Sequence, residues 1–189
     1  MKKFLAVMLV GVVALAGCSK NEPVKKVVAG ENKVAHRMLI EGTVFLKQGD
    51  PVKAVELFAS AVKTAPDYFE GYFMLGQTFV NLKQYPQAVA VMTAAVRNFP
   101  DNGLAYYLLG VAHEGVGQRI PAIIAARRSV ELFTAAEDEE GVKRSSILLA
   151  VLIQSAKQEA ADQAASNAVA DAQRSLEQVQ IPVAEPQSK

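Results

Sequence analysis

A chain of 189 residues, 51% hydrophobic and 21% charged, is long enough for one folded domain with a tail and too apolar to stay disordered. Cys18 is the only cysteine and His36 and His113 the only histidines, which excludes an internal disulfide and a Cys/His metal cluster. The net charge is +1, or −1 once Lys2 and Lys3 are removed, and neither value favours nucleic acid or an anionic surface through bulk charge.

Met1-Lys2-Lys3 is a basic start, and Phe4 to Ala16 is an apolar run interrupted only by Gly11. The run has 13 residues, short of the roughly 20 that a membrane-spanning helix needs, so residues 1–17 read as a secretory leader. Leu15-Ala16-Gly17-Cys18 resembles the lipobox of bacterial lipoproteins. The resemblance implies acylation of the Cys18 thiol, cleavage in front of it, and attachment to a bacterial cell envelope. Two or more acyl chains, at roughly 0.8 kcal/mol per buried methylene, anchor stably. In that family the next residue influences which membrane keeps the protein. Ser19 is not the aspartate of an inner-membrane retention signal, so the expected place is the outer membrane, facing the periplasm. Residues 18–33 (CSKNEPVKKVVAGENK) have no sustained apolar period and read as the lipidated cysteine and a flexible tether.

From residue 34 the chain repeats itself. Gly42, Gly76 and Gly110 are 34 residues apart, as are Ala54, Ala88 and Ala122, and Met38, Tyr72 and Tyr106. Pro66 and Pro100 keep the same spacing. Asp50-Pro51 supplies an N-cap and a proline in the first helical turn, Pro86 repeats the second role, and Pro66-Asp67 and Pro100-Asp101 stop each unit. These columns resemble the tetratricopeptide repeat, with units at 35–68, 69–102 and 103–136 inside a 34–136 domain. The resemblance implies an all-α, right-handed solenoid of three helical hairpins, which bury their apolar faces only by stacking. Small residues then stand where the two helices of a hairpin approach. The third unit departs from the pattern, with His113, Ser129 and Thr134 at positions that favour an aromatic residue, alanine and proline.

Residues 137–180 form a C-terminal helical segment. Ala135 to Glu140 is acidic, and Val142 to Gln180 holds neither glycine nor proline, so one or two helices fill it. The run Ile147 to Ile153 is apolar nearly all round and predicts burial on more than one side, against the last hairpin. Beyond it Ala165, Val169, Ala172, Leu176 and Val179 step by four and three, a narrow stripe suited to another helix. Its partner is either the array itself or a second copy of the chain. Residues 181–189, with Pro182 and Pro186, read as a disordered tail.

No nucleophile motif or phosphate-cradling loop occurs, and nothing points to a cofactor, a metal or catalysis. His36 falls on a face-lining position, and His113 reads as a half-buried, satisfied histidine. Binding is what the resemblance implies: first helices of such repeats line a groove for a protein or peptide. The expected groove residues are Leu39, Phe73, Gln77, Val80, Tyr107 and Val111, with Phe73 and Tyr107 as anchors. The cationic clamp that chaperone-binding members use is absent, since the matching positions hold Leu39, Thr43, Met74, Leu104 and Leu108. The expected function is a membrane-anchored adaptor in the assembly of an envelope complex. Homo-oligomerisation through the C-terminal helix is the alternative, and that helix also competes for the groove.

Overall fold

The computed structural model of the protein describes residues 29–178; the leader, Cys18, most of the tether and the tail lie outside them. The described residues form seven α-helices and no strand: α1 (Ala29–Lys47), α2 (Pro51–Thr64), α3 (Phe69–Asn81), α4 (Tyr85–Asn98), α5 (Gly103–Gly115), α6 (Arg119–Ala135) and α7 (Glu139–Gln178). Helices α1/α2, α3/α4 and α5/α6 pair as hairpins, and each hairpin stacks on the one before. This is the all-α solenoid of three hairpins and a C-terminal helix that the spacing predicts.

The turns inside the hairpins repeat as strictly as the small residues. Gly49, Lys83 and Gly117 all take positive φ, at 79°, 57° and 75°. The next residue's amide closes each helix end, Asp50 N–H donating to Phe45 O at 2.9 Å, Gln84 to Phe79 at 2.8 Å and Gln118 to His113 at 2.9 Å. A left-handed residue lets the chain fold back and satisfies a last-turn carbonyl. Asp50 then caps α2, its carboxylate accepting from Lys53 N–H at 3.1 Å.

Three apolar clusters run along the array. Ala35, Ala54, Phe58 and Ala61 centre the first, and Tyr72, Met92, Ala95 and Leu108 the second. Gly42 lies against the Phe58 ring and Gly76 against the Met92 side chain, so a methyl group at either glycine overlaps its neighbour. At the third hairpin the large residue is replaced by Ala126, and Leu148 of α7 reaches Gly110 instead, 3.5 Å from where a Cβ would stand. Leu152 completes the third cluster with Ala122 and Ala126. The C-terminal helix thus supplies the packing that the last hairpin lacks.

Ser129, where the first two units have Ala61 and Ala95, is buried and donates to Gly103 O at 2.8 Å. Its hydroxyl also meets that of Ser145 on α7, again at 2.8 Å. With Thr134 where the earlier units have proline, α6 runs to Ala135 and reaches 17 residues against 14 for α2 and α4. It ends through Glu137 at φ 55°, with Asp138 N–H donating to Phe133 O at 3.0 Å. That is the turn used inside hairpins, placed here after one.

The apolar run 147–153 is a correction. Leu152 is buried, but Ile147 and Val151 are 58% and 56% exposed, so α7 is covered on one side only. It lies on α6 and the edge of α5, the relation α3 has to α2 and α1. The side that a further helix would cover stays open.

Candidate partner-binding groove

Helices α1, α3 and α5 stand side by side, α1 touching α3 and α3 touching α5. Residues spaced along their common face therefore share one surface. Phe73, Gln77 and Val80 on α3 and Tyr107 and Val111 on α5 are all half-buried. Leu39 is only 6% exposed and packs with Ala35, Ala54 and Phe58, so it supports the floor and offers little surface of its own.

Phe73 is fixed from below. Its ring lies 6.2 Å from that of Phe69, which meets Phe99 edge-on at 5.4 Å, and Phe99 meets Tyr72 at 5.8 Å. Tyr72 in turn accepts from Asn98 Nδ2 at 2.7 Å, and burial pushes its phenol above the ordinary range despite that bond. This aromatic stack ties the anchor to the joint between the second and third hairpins. Gln77 donates to Asn81 at 3.3 Å, and His36 Nδ1 meets the Tyr68 hydroxyl at 3.0 Å at the groove's first end.

One groove contact was not visible in the repeat pattern. The Arg144 guanidinium of α7 stands 5.8 Å from the centroid of the Tyr107 ring, a cation–π contact at the groove's far edge. A second link sits at the end of α5, where Arg119 binds Glu114 at 2.6 Å and Glu159 of α7 through its Nε at 3.0 Å. Hydrogen bonding to Glu159, then the two carboxylates' charges, raise the Arg119 pKa. Both contacts join elements distant in sequence, which no local period announces.

Helix α7 touches α5 and α6 and neither α1 nor α3, so its described part leaves the first two-thirds of the groove uncovered. The positions of the cationic clamp hold apolar groups or threonine: Leu108 is 2% exposed, and Met74 packs on the first core cluster. A separate cleft of about 750 Å³ lies on the opposite side of α5, lined by Tyr106, His113, Ile120, Ile124 and Arg128. His113 there bonds Gln118 at 2.7 Å, a satisfied half-buried histidine.

The hairpins, their turns and the adjacent first helices form a helical-hairpin solenoid similar in fold to tetratricopeptide domains. Residues 45–112 match the family model described as tetratricopeptide repeat. Among solved structures, the TPR2B domain of yeast Sti1 in its pHsp70 complex matches with a TM-score of 0.61 at 20% identity, over 65% of this chain and 98% of that one. The first TPR of Spaghetti (RPAP3), bound to the HSP90 peptide SRMEEVD, matches with 0.59 at 18% identity, over 67% and 95%. The TPR domain of Arabidopsis OM64 matches with 0.56 at 23% identity, over 65% and 97%. At these identities the likeness is one of fold. No curated protein matches the chain in sequence.

Proposed function

We propose that the chain is a lipid-anchored adaptor of a bacterial envelope, which holds a segment of a partner protein in the groove of α1, α3 and α5 and so assists assembly of a larger complex. The observation that carries the reading is the pair of half-buried aromatic anchors, Phe73 and Tyr107, on an otherwise largely apolar face. Such anchors concentrate binding energy when a partner covers them. An apolar or amphipathic helical segment fits this face. The HSP90 peptide on the Spaghetti domain is acidic, and the apolar groups at the clamp positions here argue against a ligand of that kind. Lipidation at Cys18 and an outer-membrane, periplasm-facing location rest on the lipobox and on Ser19. Intact mass of the membrane-extracted protein tests them, since an unmodified Cys18 removes the anchor.

The groove is tested by photo-crosslinking from position 77 in intact cells, followed by identification of the captured protein. Phe73→Glu combined with Tyr107→Glu is expected to lower capture at least about tenfold, the loss typical of removing two anchors. Undiminished capture by a variant with normal helical content rejects the groove.

A second reading is a homo-oligomer. From residue 157 to 175 α7 is helical and exposed, which leaves this stretch open to a second copy of the chain. Light scattering on residues 19–189, with and without the stretch after 157, separates the readings. A monomer in both removes the oligomer.

A further inference from the structure

We infer that the first end of the solenoid, the outer side of α1, rests on an anionic lipid surface. The repeat itself marks this side as one that needs cover. Ile40 and Val44 recur 34 and 68 residues later as Met74 and Thr78, then Leu108 and Ala112. In the later hairpins these positions pack on the preceding unit, leaving Thr78 3%, Leu108 2% and Ala112 0% exposed. Helix α1 has no preceding hairpin among the described residues, and Ile40 and Val44 are 54% and 45% exposed. Terminal units of repeat arrays ordinarily turn a polar face outward. This one keeps two β-branched apolar residues there.

The flanking charge identifies the occupant. Lys33, Arg37, Ile40, Val44 and Lys47 step by four and three along one side of α1, opposite Ala35, Leu39 and Gly42. The three cations are exposed; Glu41 flanks them on the same helix, and Glu56 of α2 lines a shallow cleft with it. An apolar ridge edged by lysine and arginine is the pattern of a helix lying in a membrane interface, its cations drawn to anionic headgroups. The bulk charge near zero hides this local asymmetry. The inference rests on the reading of Cys18 as the lipid anchor in one respect. The 11 residue steps from Cys18 to Ala29 reach at most about 40 Å when extended and enter the fold at the start of α1, so the anchor holds this end of the array within that distance of the bilayer. The open side of α7, with Ile147 and Val151, lies three helical layers away, roughly 30 Å at usual interhelical distances.

The chain contains no tryptophan, so a single substitution makes a depth probe. Full-length acylated Ile40→Trp is reconstituted in vesicles of phosphatidylcholine mixed with phosphatidylglycerol, and in phosphatidylcholine alone; Val44→Trp and Val151→Trp are treated alike. The expected result is blue-shifted emission, quenched by brominated acyl chains, for positions 40 and 44 on the anionic vesicles, and water-like emission at 151. Lys33→Gln, Arg37→Gln and Lys47→Gln together should abolish the shift, each charge weakening contact about fivefold, and added salt should reduce it. Water-like emission at both 40 and 44 on anionic vesicles overturns the inference. So does a blue shift already present in detergent that grows with protein concentration, because a second copy then covers the face. An unacylated Cys18 in the intact mass counts against the anchor alone, and the emission of the same protein added to vesicles still reads the face.

Discussion

Gly42 and Gly110 occupy the same column of the repeat and face different neighbours. A methyl group at Gly42 overlaps the Phe58 ring, which is fully buried and has nowhere to move. The helix gains about 1 kcal/mol from alanine over glycine, while overpacking a tight core costs about 1–3 kcal/mol. Gly42→Ala should therefore lower the urea midpoint. At Gly110 the nearest atom is Ala122 O at 3.3 Å, a contact that a small shift relieves, and Gly110→Ala should be close to neutral. Equal losses at the two sites would refute the assignment of the neighbours. Lys83 holds the left-handed position that Gly49 and Gly117 fill in the other units. Since a side chain there is strained, Lys83→Gly is expected to stabilise by about 0.5–1 kcal/mol in chemical denaturation. The glycine and alanine columns were legible from spacing alone. The strain at Lys83 was not, because lysine carries no mark of positive φ.

Caps and interhelix contacts set how each helix begins and what holds it. The Asp50 carboxylate is kept below its ordinary pKa, first by its bond to the Lys53 side chain and then by the Lys53 amide. A group with a depressed folded pKa contributes stability above its unfolded pKa and loses it as pH falls through the folded one. Acid should therefore weaken α2 at and below the ordinary carboxylate range. Asp50→Asn, which still accepts the amide bond, should flatten that part of the pH profile of the unfolding midpoint. An unchanged profile rules out the cap as its source. On α7, Leu152 is fully buried in the third cluster, and Leu152→Ala is expected to cost about 2–4 kcal/mol. Amide exchange should then quicken from α7 into α6 before it reaches α1. Helix existence, the cap at Asp50 and the stop signals at the prolines were readable, since each is local chemistry. The one-sided cover of Ile147 to Ile153 was misjudged, because an all-apolar run says how much surface is greasy and not how many neighbours arrive.

Taken together, the array is a row of hairpins with two unlike ends and one shared face. Phe73 and Tyr107 belong to that face, and the Arg144 contact on Tyr107 makes it sensitive to how α7 docks. If α7 positions the groove's far edge, Arg144→Ala should weaken partner capture from position 77 by a few-fold without altering the thermal midpoint. A lost midpoint with unchanged capture would reverse that assignment. Of the residues that spacing assigns to this face, Phe73, Gln77, Val80, Tyr107 and Val111 are half-buried, whereas Leu39 is buried because the first hairpin packs it against Ala54 and Phe58.

Recurrence every 34 residues was enough to establish hairpins, their order and the small-residue contacts within them. Each of those follows from interactions within a few turns of chain or between adjacent units. The cover of each face was settled by three-dimensional packing. Exposure of Ile40, burial of Ser129 against Ser145 and the insertion of Leu148 over Gly110 all depend on what stands across from a residue. The sequence placed the start of the array near residue 34 and a helix after residue 137, but which faces stay open at those ends depends on what packs across from them, and a periodic pattern does not record that.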